Sequence, residues 1–131
     1  MLQPGIWEEL TFRGITIPIL LNRYTQKTAI IISSVMFAIA HSINLIGGNP
    51  IFVLFQVVYT FFMGLVFGSL FIKSNSLIPS IILHYLVDTV GLALITTVIS
   101  DFFLLIIFYA GFIGILPTVF ALIFIKLFTK N

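Results

Sequence analysis

Six ionisable side chains, Glu8, Glu9, Arg13, His41, His84 and Asp88, stand inside stretches that are otherwise apolar. All the others, Arg23, Lys27, Lys73, Asp101, Lys126 and Lys130, fall in connections or in the tail. Charge is expensive in hydrocarbon, so groups left inside apolar segments must face one another or a wet cavity. Carboxylates beside imidazoles can do acid–base work, one taking a proton while the other orients or delivers it. Glu9 and Arg13 are four apart with the acid first, which a helix turns into an ion pair on one face. Glu8 is rotated about 100° from Glu9 and projects elsewhere. His84 and Asp88 share a helical face by the same spacing, and Phe37 lies four before His41, where its ring restricts the imidazole.

The elements that must position these groups are helices in a membrane. The chain has 131 residues, 60% hydrophobic and 8% charged, with mean hydropathy +1.25; a soluble domain carries roughly 25% charged residues. A spanning helix needs about 20 mostly apolar residues. Stretches 28–46, 52–72, 77–99 and 102–125 qualify, and 5–21 qualifies apart from its three charges. The predicted fold is therefore all-α, a polytopic transmembrane helix bundle of four to five spanning segments forming a single membrane-embedded domain over 1–131. Turn chemistry separates the segments at Asn22–Lys27, Gly47–Pro50, Lys73–Ser76 and Ser100-Asp101. Pro79 falls in a first helical turn, where its missing N–H costs little. Pro117, after Gly111 and Gly114, predicts a kink in the last span. Gly64 and Gly68 form a small-xxx-small pair that lets helices approach closely, inside the bundle or between two copies.

Alternating the segments puts Arg23, Lys27, Lys73, Lys126 and Lys130 on one side and Asp101 on the other. The positive-inside rule makes the basic side, with the C-terminus, cytoplasmic and the N-terminus external if 5–21 crosses. The expected location is the cell membrane, multi-pass. A formal charge of +2 without a basic run gives no support to nucleic acid as a partner. The absence of cysteine excludes disulfides and thiolate chemistry. Two early acids and no basic flank do not read as a signal peptide. At 1.5 Å per residue, Glu8 and His41 lie roughly 6–8 Å to the external side of the midplane and His84 roughly 6 Å to the cytoplasmic side, with Asp88 near the middle. Helix tilt permits all four to meet in one central cavity. Helix-to-helix hydrogen bonding without catalysis and proton translocation are the other readings of such a set.

Three motifs in order carry a resemblance. Glu8-Glu9-Leu10-Thr11-Phe12-Arg13 fits EExxxR, Phe37 to His41 fits FxxxH after Ser33-Ser34, and His84 to Asp88 fits HxxxN/D after Ser76-Leu77-Ile78-Pro79. Over about residues 4–90 the chain resembles the CPBP family, the CAAX proteases and bacteriocin-processing enzymes also called Abi. The resemblance implies an intramembrane endopeptidase acting on a membrane-associated peptide or protein. Glu8 would be the general base for water, His41 would help activate that water, and His84 with Asp88 would stabilise the oxyanion. Glu9, Arg13 and Phe37 would support them. Asn donates to an oxyanion whereas an ionised Asp only accepts, so Asp88 is expected either to carry a proton or to orient His84.

No cofactor is expected. The alternative is zinc on Glu8, His41 and His84 with water in the fourth position, although the HExxH signature is absent. Relatives usually carry several spans ahead of the first motif, so a minimal core, a fragment and a decayed copy all fit this sequence. A non-catalytic bacteriocin self-immunity or scaffold protein is the alternative function.

Overall fold

The computed structural model describes residues 2–97 and 102–108, together with single positions 111, 115, 118, 119, 122, 123 and 126. Every element among them is helical. The first is α1 (Leu2–Glu9), which runs without a break into a π-helical stretch, Leu10–Thr16, and then α2 (Ile17–Leu21). Pro18 stands at the start of α2, where it cannot donate to the carbonyl four residues back. A local π adjustment is one way a membrane helix accommodates a proline. The Thr16 hydroxyl follows the widened register, donating to the Thr11 carbonyl five residues back at 2.9 Å.

Thr25 caps the next helix, accepting from the Thr28 N–H at 3.3 Å. That helix, α3 (Gln26–Ala40), tightens at its end into a 3-10 turn, His41–Leu45. Gly47, at φ 96°, supplies the left-handed step of the following loop. Asn49 accepts from the Ile51 N–H at 2.9 Å to open α4 (Pro50–Ser74), whose Pro50 occupies a position that needs no donor. Asn75 ends α4 in the left-handed conformation at φ 51°, a role Asn shares with Gly. Then come α5 (Ile78–Thr97) and α6 (Phe102–Phe108).

Two of these helices, Gln26–Leu45 and Pro50–Ser74, are long and apolar enough to cross a bilayer, with 20 and 25 residues; at 1.5 Å each they reach about 30 and 37 Å. The sequence predicts four to five such spans. The difference has identifiable sources: the first segment carries Glu8, Glu9 and Arg13 within its apolar run, the side chains of α5 are described only as far as Gly91, and most of 102–125 lies outside the described residues. So do the expected kink at Pro117, and Asp101 and Lys130.

The outward faces of α3 and α4 expose Ile31, Val35, Ile39, Leu54 and Val58, the residue types that a lipid-facing surface carries. Inward, α3 and α4 approach so closely at Gly64 that a Cβ there would come within 2.8 Å of the Ser34 Cβ. Gly68 is packed against Ile30 and Ile17. The small-residue pair therefore serves packing within the chain. One apolar cluster joins Ile30, Leu65 and Val66. A second, of Phe37, Met63 and Phe67 with Phe12, Tyr59, Leu83 and Val87 around it, forms the floor beneath the ionisable groups.

Candidate active site

The EExxxR residues straddle the α-to-π junction, with Glu8 and Glu9 closing α1 and Arg13 inside the π stretch. The site is built outward from the buried pair Glu9–Arg13, both 0% exposed, with Arg13 Nη1 3.1 Å from Glu9 Oε1. This contact is an ion pair without hydrogen-bond alignment, and Glu9 Oε2 and Arg13 Nε have no hydrogen-bond partner among the described residues. Two other contacts hold the guanidinium. Its Nη2 donates to the Gly64 carbonyl at 3.4 Å, and its centre stands 4.3 Å from the Phe37 ring centroid and 5.2 Å from that of Phe67. A desolvated cation over aromatic faces gains about 2 kcal/mol. The Ser33 hydroxyl donates to the Phe12 carbonyl at 2.7 Å, fastening the π stretch to α3.

His84, from α5, touches acids on both sides. Its Nδ1 lies 2.9 Å from Glu9 Oε1; an ionised carboxylate only accepts, so the ring donates there. Its Nε2 lies 3.5 Å from Glu8 Oε2 and 3.7 Å from Asp88 Oδ2. The ring is stacked on Phe67 at 4.8 Å and 19° and meets Phe37 edge-on at 5.9 Å. One imidazole thus separates two carboxylates that are adjacent in the chain, Glu9 on the closed side and Glu8 on the open side.

His41 sits where α3 tightens, its Nδ1 donating to the Phe37 carbonyl at 2.9 Å and its ring edge-on to Phe37 at 4.7 Å. With Nδ1 as donor, the neutral ring keeps an accepting lone pair on Nε2. Phe37 therefore touches Arg13 and both imidazoles.

Glu8, His41, His84 and Asp88 line one cavity of about 340 Å³, with Phe12, Ala40, Ile43, Asn44 and Gln56 as the remaining wall. The structure thus brings the four expected reactive residues to a common space and leaves Glu9 and Arg13 behind it. Among the described residues, no group of three His, Asp or Glu side chains is arranged to hold a metal ion. Two features escape a reading of spacing alone. The contact of Glu9 with a histidine 75 residues away has no local signature. Asn44 and Gln56, hydrogen-bonded at 2.9 Å, look in sequence like a turn residue and an isolated polar residue; the signal for Gln56 is its position inside an apolar span.

The family model Type II CAAX prenyl endopeptidase Rce1-like matches residues 1–90, 90 of the chain's 131 positions, and spans all three motifs. No curated protein and no solved structure matches the chain.

Proposed function

The chain belongs to the Type II CAAX prenyl endopeptidase Rce1-like family, and on that footing we propose that it hydrolyses a peptide bond in a membrane-associated substrate with water activated by Glu8 and His41. The observation that supports this most directly is the meeting of Glu8, His41, His84 and Asp88 around a single cavity. Water there donates one hydrogen to Glu8 and the other to His41 Nε2, which aims an oxygen lone pair at the substrate carbonyl carbon. Glu8 takes the proton as the C–O bond forms. The carbonyl oxygen becomes an oxyanion and accepts from Nε2–H of a doubly protonated His84, held on its far side by Glu9. Donors fixed in a site that excludes water supply several kcal/mol to such a transition state. Glu8 then returns its proton to the departing amine as the C–N bond breaks.

In this mechanism Asp88 orients the Nε2 side of His84, and Glu9 and Arg13 act through the ring rather than on substrate. Phe37 keeps Arg13, His41 and His84 in register. No step requires a metal, so proteoliposomes stripped with EDTA or phenanthroline keep full activity; loss restored by zinc would replace this mechanism with a metal one. The basic connections carrying Arg23, Lys27 and Lys73 face the cytoplasm. The chain has no cysteine of its own, so Lys27→Cys and Gly47→Cys, probed with an impermeant maleimide, must react from opposite sides.

The deciding experiment is Glu8→Gln in proteoliposomes with membrane peptides as substrates and products read by mass spectrometry. The change keeps shape and removes the base, and cleavage is expected to fall about 10²–10⁴-fold. Undiminished cleavage would remove Glu8 from the reaction.

A further inference from the structure

The wall of the cavity holds two neutral amides that the mechanism does not use. Asn44, in the 3-10 turn after α3, donates from Nδ2 to Gln56 Oε1, on α4, at 2.9 Å, and both residues line the cavity with Glu8 and His84. That single bond leaves much of the pair's capacity open. Asn44 keeps one N–H and its Oδ1, and Gln56 keeps two N–H groups and a lone pair on Oε1. Asn44 is exposed and Gln56 half-buried, so this capacity is turned toward accessible space.

A peptide entering the cavity brings one N–H and one C=O per residue. These groups cannot be left unpaired in a membrane interior. The ionisable groups of the wall are two acids and two imidazoles, and among the described residues no Lys or Arg lines the cavity. Among the described residues the carboxamides are thus the only neutral groups there with donor and acceptor side by side, the same pattern that a backbone amide presents.

We propose that Asn44 and Gln56 form a subsite that hydrogen-bonds the main chain of the substrate peptide beside the scissile bond, and so selects for an extended backbone rather than for side chains. The bond between them holds the two amides in one orientation, so the peptide meets a fixed template rather than two mobile side chains. This inference rests on the endopeptidase reading but can fail separately from it.

The test measures binding without turnover, in the Glu8→Gln protein reconstituted in nanodiscs, with a fluorescein-labelled decapeptide pool of randomised sequence and anisotropy as readout. Gln56→Glu keeps the acceptor for Asn44 while withdrawing the Nε2 donors, and Asn44→Leu removes the partner altogether. Each is expected to weaken binding about tenfold, the effect of losing one or two hydrogen bonds. A backbone N-methylated pool, which has lost its N–H donors, should bind the parent and Gln56→Glu correspondingly worse, since both keep the two acceptor oxygens, and should bear a smaller penalty in Asn44→Leu, which has lost Oδ1.

With wild-type Glu8 restored, each change should raise KM and leave kcat within about twofold, which a merely structural bond would not do. Dissociation constants within twofold of the parent in both variants, or a methylation penalty in Asn44→Leu equal to that of the parent, would overturn the subsite. So would failure of the parent to bind the pool. Binding that obeys these expectations without any cleavage by the wild-type chain would instead overturn the hydrolytic reading alone.

Discussion

Glu8 and Glu9 are neighbours of the same type, and the two sides of His84 put them to opposite uses. On the closed side Glu9 is 0% exposed and shares one oxygen between Arg13 at 3.1 Å and His84 at 2.9 Å. On the open side the Glu8 side chain is 32% exposed and the Asp88 side chain 48%, each more than 3.4 Å from Nε2. A carboxylate locked in a buried ion pair is a poor proton acceptor but a good anchor. One with loose contacts and a cavity in front of it is a poor anchor and a better base. The contrast shows how a few buried charges in a membrane helix can be divided between holding a ring still and leaving its other face available.

The largest expected effect separates the sides most sharply. Glu8→Gln should cost about 10²–10⁴-fold in kcat and leave the thermal unfolding midpoint in detergent within a degree or two, as surface changes do; a large drop in that midpoint would place Glu8 among the anchors. Arg13→Met tests the closed side. It leaves Glu9 buried without its cation, and removing one partner of such a pair costs about 3–5 kcal/mol, readable as a lower denaturant midpoint or lost expression. A stable Arg13→Met protein would show that the aromatic cage, and not the charge, holds this region.

Behind the closed side, Gly64→Ala forces a methyl against Ser34, where the two helix backbones leave no room. Overpacking of this kind costs about 1–3 kcal/mol. Gly68→Ala meets side-chain carbons of Ile30 and Ile17, the nearest at 3.1 Å, and should cost less, so equal unfolding shifts would contradict the packing described. The smallest effect belongs to Asp88→Asn. It exchanges an acceptor on the open side for a group that can also donate to an oxyanion, and kcat should stay within about fivefold of the parent; abolished cleavage would give Asp88 a proton-transfer role of its own.

Much of the site is legible in sequence because hydrocarbon penalises stray charge. Glu8, Glu9, Arg13, His41, His84 and Asp88 stand out against apolar neighbours, and their spacings of four survive in the contacts of Glu9 with Arg13, Phe37 with His41 and His84 with Asp88. The helices at Gln26–Ala40 and Pro50–Ser74 follow their apolar runs closely, and their caps at Thr25 and Asn49 are ordinary cap chemistry. What is not legible depends on long-range packing. Nothing near Glu9 announces that His84 will donate to it. The i, i+4 spacing of Glu9 and Arg13 is the same in sequence whether the turn between them is α or π, and only Pro18 marks the disturbance. Asn44 and Gln56 are separated by a loop whose closure, not whose composition, brings them together.

The π-helical stretch also acts as an angular gauge for the whole motif. Everything N-terminal to it, including both glutamates, is aimed by the winding of Leu10–Thr16. Removing one residue between Arg13 and Pro18 would rewind that turn and swing Glu8 and Glu9 together by about 100°, carrying both away from the imidazole at once. A frame-preserving deletion between Arg13 and Pro18 should therefore silence the site without changing any residue that takes part in it.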